Sequence, residues 1–282
     1  MNDISNILAV IVIYKTDFRT SATFQSILAA VRNYEQDLDL LIYDNSPEVQ
    51  LAGKELKYEN INIHYTHDPK NSGVSTAYNY GAKYASEMPS KQWLLLLDQD
   101  TTFNVNLISR YLEAFKAYPD AKLFAPILRL KSGILFSPCK FVFKRGFPLK
   151  EIQPGPVSLD HISPVNSGMM IHLSTFFSAG MYNEAVKLDY SDFQFIERFK
   201  ALESSFVVID STAYQDFSNE ETDVEKLKVR YAYFCEGAKN FEKFNVVERM
   251  QFFIVALMRA VTLSYRNKSL IFFKTFFKEY IQ

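Results

Sequence analysis

Trp93-Leu94-Leu95-Leu96-Leu97-Asp98-Gln99-Asp100-Thr101 is an apolar run of buried-strand length that ends abruptly in two carboxylates one residue apart. Side chains two apart on an extended segment point the same way, so Asp98 and Asp100 converge if the strand geometry persists to its end. Like charges at the mouth of an apolar layer repel unless a cation or a shared proton relieves them. A hard divalent ion bridging to a phosphorylated ligand is the simplest relief. The competing reading makes both aspartates solvated turn residues that cap a helix starting near Asn104, and this segment alone does not separate the two.

Outward from that strand, β-rich and helical patterns alternate. Residues 7–14, 38–43, 61–66, 93–97 and 122–128 read as strands, and residues 24–34, 74–86 and 106–118 as helices. Such alternation predicts an α/β fold with a mostly parallel central sheet flanked by helices. The polar connections Lys15-Thr16-Asp17, Asp44-Asn45-Ser46 and Asp98-Gln99-Asp100 all sit at strand ends, the edge where open α/β sheets bind ligands. Between 132 and 164 five prolines break β-branched and aromatic residues, a texture of hairpins and loops. A returning strand is expected over 165–173 and a helix over 192–202, and beyond Thr222 the pattern is helical to the end. The expected division is therefore a catalytic domain over residues 1–221 and a basic, aromatic helical extension over 222–282.

The 282 residues, 48% hydrophobic and 22% charged, can bury a large core and exclude a disordered chain. The formal net charge is −1, but from Val224 onward eleven Lys/Arg face five Asp/Glu, leaving the rest of the chain acidic. Two cysteines, Cys139 and Cys235, are too few and too far apart for a disulfide scaffold or a zinc site, which is compatible with a reducing, cytoplasmic compartment. The segment from Met1 to Tyr14 lacks a basic leader and a small-residue cleavage site, and reads as a first strand rather than a signal peptide. The longest apolar candidate for a membrane span, residues 252–263, is interrupted by Arg259.

No Gly-x-x-x-x-Gly-Lys loop and no Gly-x-Gly-x-x-Gly fingerprint occurs, so kinase, GTPase and simple dehydrogenase readings lose ground. Gly73, Ala77 and Gly81 form an i, i+4, i+8 stripe that lets a helix approach another backbone closely, and the amides at its start offer an anion site. The structural reading, in which the stripe only packs the helix on the sheet, is the better of the two for this segment alone. The histidines His64, His67, His161 and His172 show no ligand spacing.

In order, Ile11-Val12-Ile13-Tyr14, Asp44-Asn45-Ser46, Asn71-x-Gly73 with Ala77-x-Asn79-x-Gly81, Leu97-Asp98-Gln99-Asp100-Thr101, and Asn166-Ser167-Gly168 leading through residues 179–184 to residues 189–198 form a pattern. It resembles the inverting glycosyltransferases of family 2, with the GT-A fold, and the Leu-Asp-Gln-Asp form resembles their bacterial rhamnosyltransferase-like branch. The resemblance covers residues 7–240. It implies a nucleotide-sugar donor, with deoxythymidine-diphosphate-rhamnose suggested by the branch, and a cell-surface polysaccharide or lipid-linked glycan acceptor. It further implies that Asp44 hydrogen-bonds the nucleotide base and that Tyr14, Asn71, Gly73 and Asn79 belong to the donor site. Asp98 and Asp100 would hold the diphosphate directly or through Mg2+ or Mn2+, and Asp192 would be the general base, with Asp189 its nearest rival. The chemistry agrees with that division: departure of a nucleoside diphosphate needs charge stabilisation, and inversion needs a separate carboxylate to take the acceptor proton.

Three departures from the family pattern stand out. Gln194 replaces a usual acid, Gln215 or Asp216 stands where a metal-ligating His is often found, and Tyr14-Lys15-Thr16 replaces a usual Thr-Tyr-Asn. They motivate the alternative of a degenerate, non-catalytic GT-A protein that serves as a scaffold in glycan assembly. A nucleotidyltransferase is a weaker rival, because its Gly-rich first loop is missing after Tyr14. As a bare helix cap, Asp192 also has an ordinary explanation.

The last third sets Arg249, Arg259, Arg266, Lys268, Lys274 and Lys278 beside Phe252, Phe253, Leu257, Phe272, Phe273, Phe276 and Phe277. Basic charge next to aromatic bulk suits an interfacial helix at the inner face of the plasma membrane, each cation adding about 1 kcal/mol near an anionic leaflet. Packing on the catalytic domain or on a second subunit, as in a homodimer, is the alternative. A nucleic-acid partner is not expected, because the excess charge is confined to this tail and no binding motif accompanies it.

Overall fold

A computed structural model of the chain describes residues 3–51, 55–215 and 223–282. Its centre is β1 (Ile7–Ile13), whose seven side chains are all buried. Ile7, Ala9, Ile11 and Ile13 enter one apolar cluster and Leu8, Val10 and Val12 another, so strand alternation alone sorts them onto the two faces of the sheet. After α1 (Ala22–Val31) come β2 (Leu38–Asp44), β3 (Glu55–Tyr58), β4 (Ile61–His67), α2 (Val74–Ser86) and β5 (Trp93–Asp98). β4, β2, β1 and β5 lie side by side and parallel, which brings the ends of β1, β2 and β5 to one edge. The short antiparallel edge strand β3 is an element the sequence reading did not contain.

The chain continues through β6 (Thr101–Thr102), α3 (Leu107–Ala117), β7 (Leu123–Leu130), β8 (Leu135–Val142), β9 (Arg145–Leu149), β10 (Gly155–Ser158), β11 (Ile162–Ser163) and β12 (Met169–His172). β12 inserts antiparallel between β5 and β7. The strand expected over 165–173 is thus shorter, because Asn166-Ser167-Gly168 turns first. A Cβ on Gly168 (φ +81°) would sit 2.5 Å from Pro126 Cγ. Next come α4 (Leu173–Ser178), α5 (Ser191–Phe199) and β13 (Ser205–Gln215), which runs parallel to β7. The sheet is mixed and mostly parallel, as expected, with α1 and α3 on one face and α2, α4 and α5 on the other.

α6 (Val224–Asn240), α7 (Val246–Asn267) and α8 (Ile271–Phe276) close the chain. Phe234, Phe241, Phe252, Phe272 and Phe276 form a third core that also takes in Val186 and Tyr190. Half of the question about the tail aromatics is thereby answered by packing: Phe252, Phe272 and Phe276 are buried, whereas Phe277 is exposed. Among the described residues no helix is long and apolar enough to cross a membrane. Both cysteines are free and buried.

Candidate active site

The end of β5 is pinned from three sides. Thr23 Oγ1, from α1, donates to the carbonyl of Asp98, and it accepts the Thr101 amide at 3.1 Å. Ser167 Oγ lies 2.7 Å from Thr101 Oγ1 and receives the Asp98 amide at 3.4 Å. Gln99, which the sequence reading gave no role, accepts the Tyr14 amide at 2.8 Å and so ties the end of β1 to the end of β5. Asp98 is therefore held at the strand end, Asp100 lies in the exposed turn that follows, and neither caps a helix. The helix that follows starts only at Leu107, with Asn106 at its N-cap.

Asp98 Oδ1 accepts the buried Tyr78 hydroxyl at 2.9 Å, and Gln215 Nε2 donates to Asp100 Oδ1 at 2.8 Å. Burial first, then the neighbouring Asp100 charge, push the Asp98 carboxyl up to about 7, while Tyr78, the Arg230 charge and Gln215 pull the other way. Asp192 lies in the first turn of α5, whose N-cap is Tyr190 in a left-handed conformation (φ 72°). Asp192 is therefore not the cap. Its Oδ1 takes the Phe193 amide at 2.7 Å. Burial pushes this carboxyl, too, up to about 7, and the Phe193 amide opposes the rise while the Asp98 and Asp189 charges add to it. The hydroxyl of buried Tyr182 is raised well above its ordinary value by burial and by the charges of both Asp192 and Asp98. Asp98 and Asp192, 94 residues apart in sequence and both half-buried, thus lie near enough for the Asp98 charge to act on Asp192.

Asp189 holds Arg230 at 3.0 Å through Oδ1. Arg230 belongs to α6, and its charge reaches Asp98. It is the functional candidate that the sequence reading missed, since on a helix of mixed charge nothing distinguishes it from its neighbours. Gln194, singled out as a departure, braces the loop after α6. Its Nε2 donates to Glu242 Oε2 at 2.9 Å, and its Oε1 accepts the Glu242 amide at 2.7 Å. Asp216 lies outside the described residues.

Asp44 is fully buried beneath the sheet edge, where it accepts the Ser46 amide at 2.8 Å and the Tyr65 hydroxyl at 2.6 Å. Above it opens a cleft of about 530 Å³ lined by Lys15, Thr16, Asp17, Arg19, Ser46, Pro47, Glu48 and Gln50. Asp44 shapes that cleft by holding Ser46 rather than by lining it. Tyr14 is exposed next to it, and Asn45 Oδ1 is buried without a hydrogen-bond partner among the described residues.

The residues of the 71–81 block divide. Asn71 (φ 50°) and Gly73 (φ +95°) make the turn into α2, and a Cβ on Gly73 would come within 2.5 Å of the Lys187 carbonyl. That carbonyl also takes the Val74 amide at 2.8 Å, so one of the helix-start amides expected to be free for an anion has a protein partner. Gly81 packs on β1, where a Cβ would stand 2.5 Å from Val10 Cγ2, which supports the packing reading of the small stripe. Asn79 is buried and bonds the backbone of Tyr182 in both directions and Glu184 Oε1 at 3.0 Å. In the structure it therefore holds the 182–184 loop. Among the described residues no three His, Cys, Asp or Glu side chains gather as a metal cage. The oxygen pair Asp98 and Asp100 is nevertheless the donor type that suits Mg2+ or Mn2+, which keep open positions for phosphate oxygens and water.

The model of glycosyl transferase family 2 matches residues 9–147. The dTDP-rhamnosyl transferase RfbF of Shigella flexneri is 24% identical over 189 residues, which is 67% of this chain and 61% of that protein. The chain thus spans about three fifths of the curated relative it matches. A crystal structure of GalNAc-T7 with UDP, GalNAc and Mn2+ superposes over 97% of this chain and 56% of its own (TM-score 0.55, 13% identity). Residues 1–349 of TarS from S. aureus superpose over 93% of this chain and 92% of theirs (TM-score 0.52, 13% identity). At such identities the likeness is one of fold.

Proposed function

The chain belongs to glycosyl transferase family 2, and we propose that it transfers a sugar, with inversion, from a nucleoside-diphosphate donor to a hydroxyl of a surface-polysaccharide or lipid-linked glycan acceptor. The observation that carries the proposal is that Asp98 and Asp192, two half-buried carboxylates delivered by different segments, lie near enough for the charge of Asp98 to raise the Asp192 carboxyl. In this reading residues 1–221 are the catalytic unit and residues 222–282 an extension that supplies Arg230 to it.

The nucleoside occupies the cleft above Asp44, with the base near Ser46 and Gln50. Tyr14, Asn71 and Gly73 border the donor from the ends of β1 and the start of α2, and Asn79 fixes the loop opposite. Asp98 and Asp100 would hold Mg2+ or Mn2+, which would supply positive charge to the departing diphosphate. Arg230 adds a cation on the same side. Asp192, with its pKa up to about 7, sits in the range where a carboxylate can take a proton from an acceptor hydroxyl near neutral pH. Inversion follows if that hydroxyl attacks from the face opposite the leaving phosphate, and Asp189 is less suited because it is engaged with Arg230. The relative from Shigella flexneri supports dTDP-rhamnose as the first donor to try.

Isothermal titration with a panel of nucleoside diphosphates and nucleotide sugars, with and without Mn2+, tests the reading. Binding at micromolar to millimolar affinity with transfer or slow hydrolysis of the donor is expected. Absence of binding under either condition would leave the non-catalytic scaffold as the better account.

A further inference from the structure

A second cavity, of about 470 Å³, lies in the helical extension and is lined by Lys239, Phe241, Lys243, Arg249, Phe253 and Tyr280. Three cations and three aromatic rings surround it, and among the described residues no carboxylate lines it. Of the acids close in sequence, Glu242 bonds Arg198 and Gln194, and Glu248 bonds Lys144 at 2.6 Å and the Phe244 amide at 2.8 Å while its charge also acts on Lys243. Lys243 Nζ is held in place by the carbonyls of Lys239 and Phe241 at 2.7 and 2.8 Å and sits 4.9 Å from the centre of the Phe252 ring. Burial first, then the Arg249 charge, bring its ammonium down to about 8, against the opposing charge of Glu248. Like charges held together by the fold, beside apolar walls, are relieved by an anion that carries an apolar body.

The same helix shows what carries that anion. Val246, Met250, Ile254, Met258, Val261 and Tyr265 recur along α7 at spacings of four, four, four, three and four, and all are exposed, Tyr265 by 85%. Phe244 (81% exposed) precedes them, and Leu270, Phe277 and Ile281 follow. The other face of α7, with Phe252, Val255, Ala256 and Ala260, is buried in the third core. A helix apolar on both faces leaves one without a partner in the monomer. Phe253 belongs to both features, since it walls the cavity and is partly exposed beside Ile254.

We propose that the cavity binds the phosphate group of an anionic lipid and that the outer stripe of α7 lies in the bilayer interface around it. Charge complementarity selects the bilayer over a second copy of the chain: from Val224 on, eleven Lys/Arg oppose five Asp/Glu, so pairing through this face would bring two positive units together. The inference goes beyond the transferase reading and stands apart from it, because the cavity shares no residue with the Asp98 site.

The test is co-sedimentation of the full chain with phosphatidylcholine vesicles, with or without roughly one third phosphatidylglycerol, at moderate salt. Partitioning onto the anionic vesicles is expected, with little onto neutral ones. The Lys239→Ala/Lys243→Ala/Arg249→Ala variant should bind on the order of a hundredfold more weakly, and excess inorganic phosphate should compete in part. Because Lys243 is half-buried, the Lys239→Ala/Arg249→Ala pair, which alters exposed side chains only, is measured alongside, and unfolding curves establish that each variant is folded. Ile254→Glu/Met258→Glu should also release the protein while leaving nucleoside-diphosphate titrations unchanged. Equal binding to both vesicle types, undiminished binding by the folded cation variants, or a stable dimer that the Ile254→Glu/Met258→Glu change splits would each overturn the proposal.

Discussion

Asp98→Asn is the most informative single change, because it separates what this carboxylate does to stability from what it does for the reaction. The Asp98 carboxyl is pushed from its ordinary 3.8 to about 7 by burial and by Asp100. A folded-state pKa above the unfolded one means that stability is complete below about pH 4 for this group and declines as pH rises through 7, when the buried site must carry the charge. Three pH units at about 1.4 kcal/mol each set an upper bound of about 4 kcal/mol. Residual contact with water and sharing of the effect with Asp100 and Asp192 reduce the expectation to roughly 2 kcal/mol. The asparagine keeps the shape and the Tyr78 hydrogen bond but carries no charge. The variant should therefore be about 2 kcal/mol more stable than the wild type at pH 8 and nearly equal to it at about pH 4, while losing transfer activity. Urea unfolding at the two pH values, each with and without millimolar Mn2+, measures this. Mn2+ should stabilise the wild type at pH 8 and leave the variant unaffected. A wild type whose stability is flat from about pH 4 to about pH 8, with a variant no more stable than it, would refute the desolvated-pair account.

Three further outcomes follow from the same geometry. Asp192→Asn should leave donor affinity intact and lower turnover more than about a hundredfold, with near-normal turnover removing it as the base. Arg230→Ala should weaken nucleoside-diphosphate binding about tenfold and shift the Asp98 titration upward, read as a later pH midpoint for metal-dependent binding; an unchanged profile would leave Arg230 a partner of Asp189 alone. Gly81→Val should cost about 2–3 kcal/mol in urea unfolding, because a Cβ at 2.5 Å from Val10 Cγ2 forces α2 or the Val10 side chain to shift. A stable variant would mean the helix can shift freely.

The parallel core was legible because its strands are buried on both faces and read as unbroken apolar runs, and the carboxylates were legible because they interrupt such a run at its end. β12 was legible as a strand but not in its place between β5 and β7, since pairing direction and neighbour leave no mark in a four-residue apolar segment. The meeting of Asp192 with Asp98 was proposed from a resemblance, and in the residues themselves Asp192 was indistinguishable from an ordinary first-turn acid.

Local order therefore accounts for which residues are strand, helix or strand-end acid, since burial period and chain-breaking residues are written in neighbours along the chain. Which acids lie near one another, that Arg230 acts on Asp98 from α6, that Asn79 and Gln194 anchor loops, and that Lys239, Lys243 and Arg249 surround one cavity were decided only by the folded structure. Those facts depend on distance and solvent exclusion between segments far apart in sequence, where a side chain's charge state and partners are set by what packs over it.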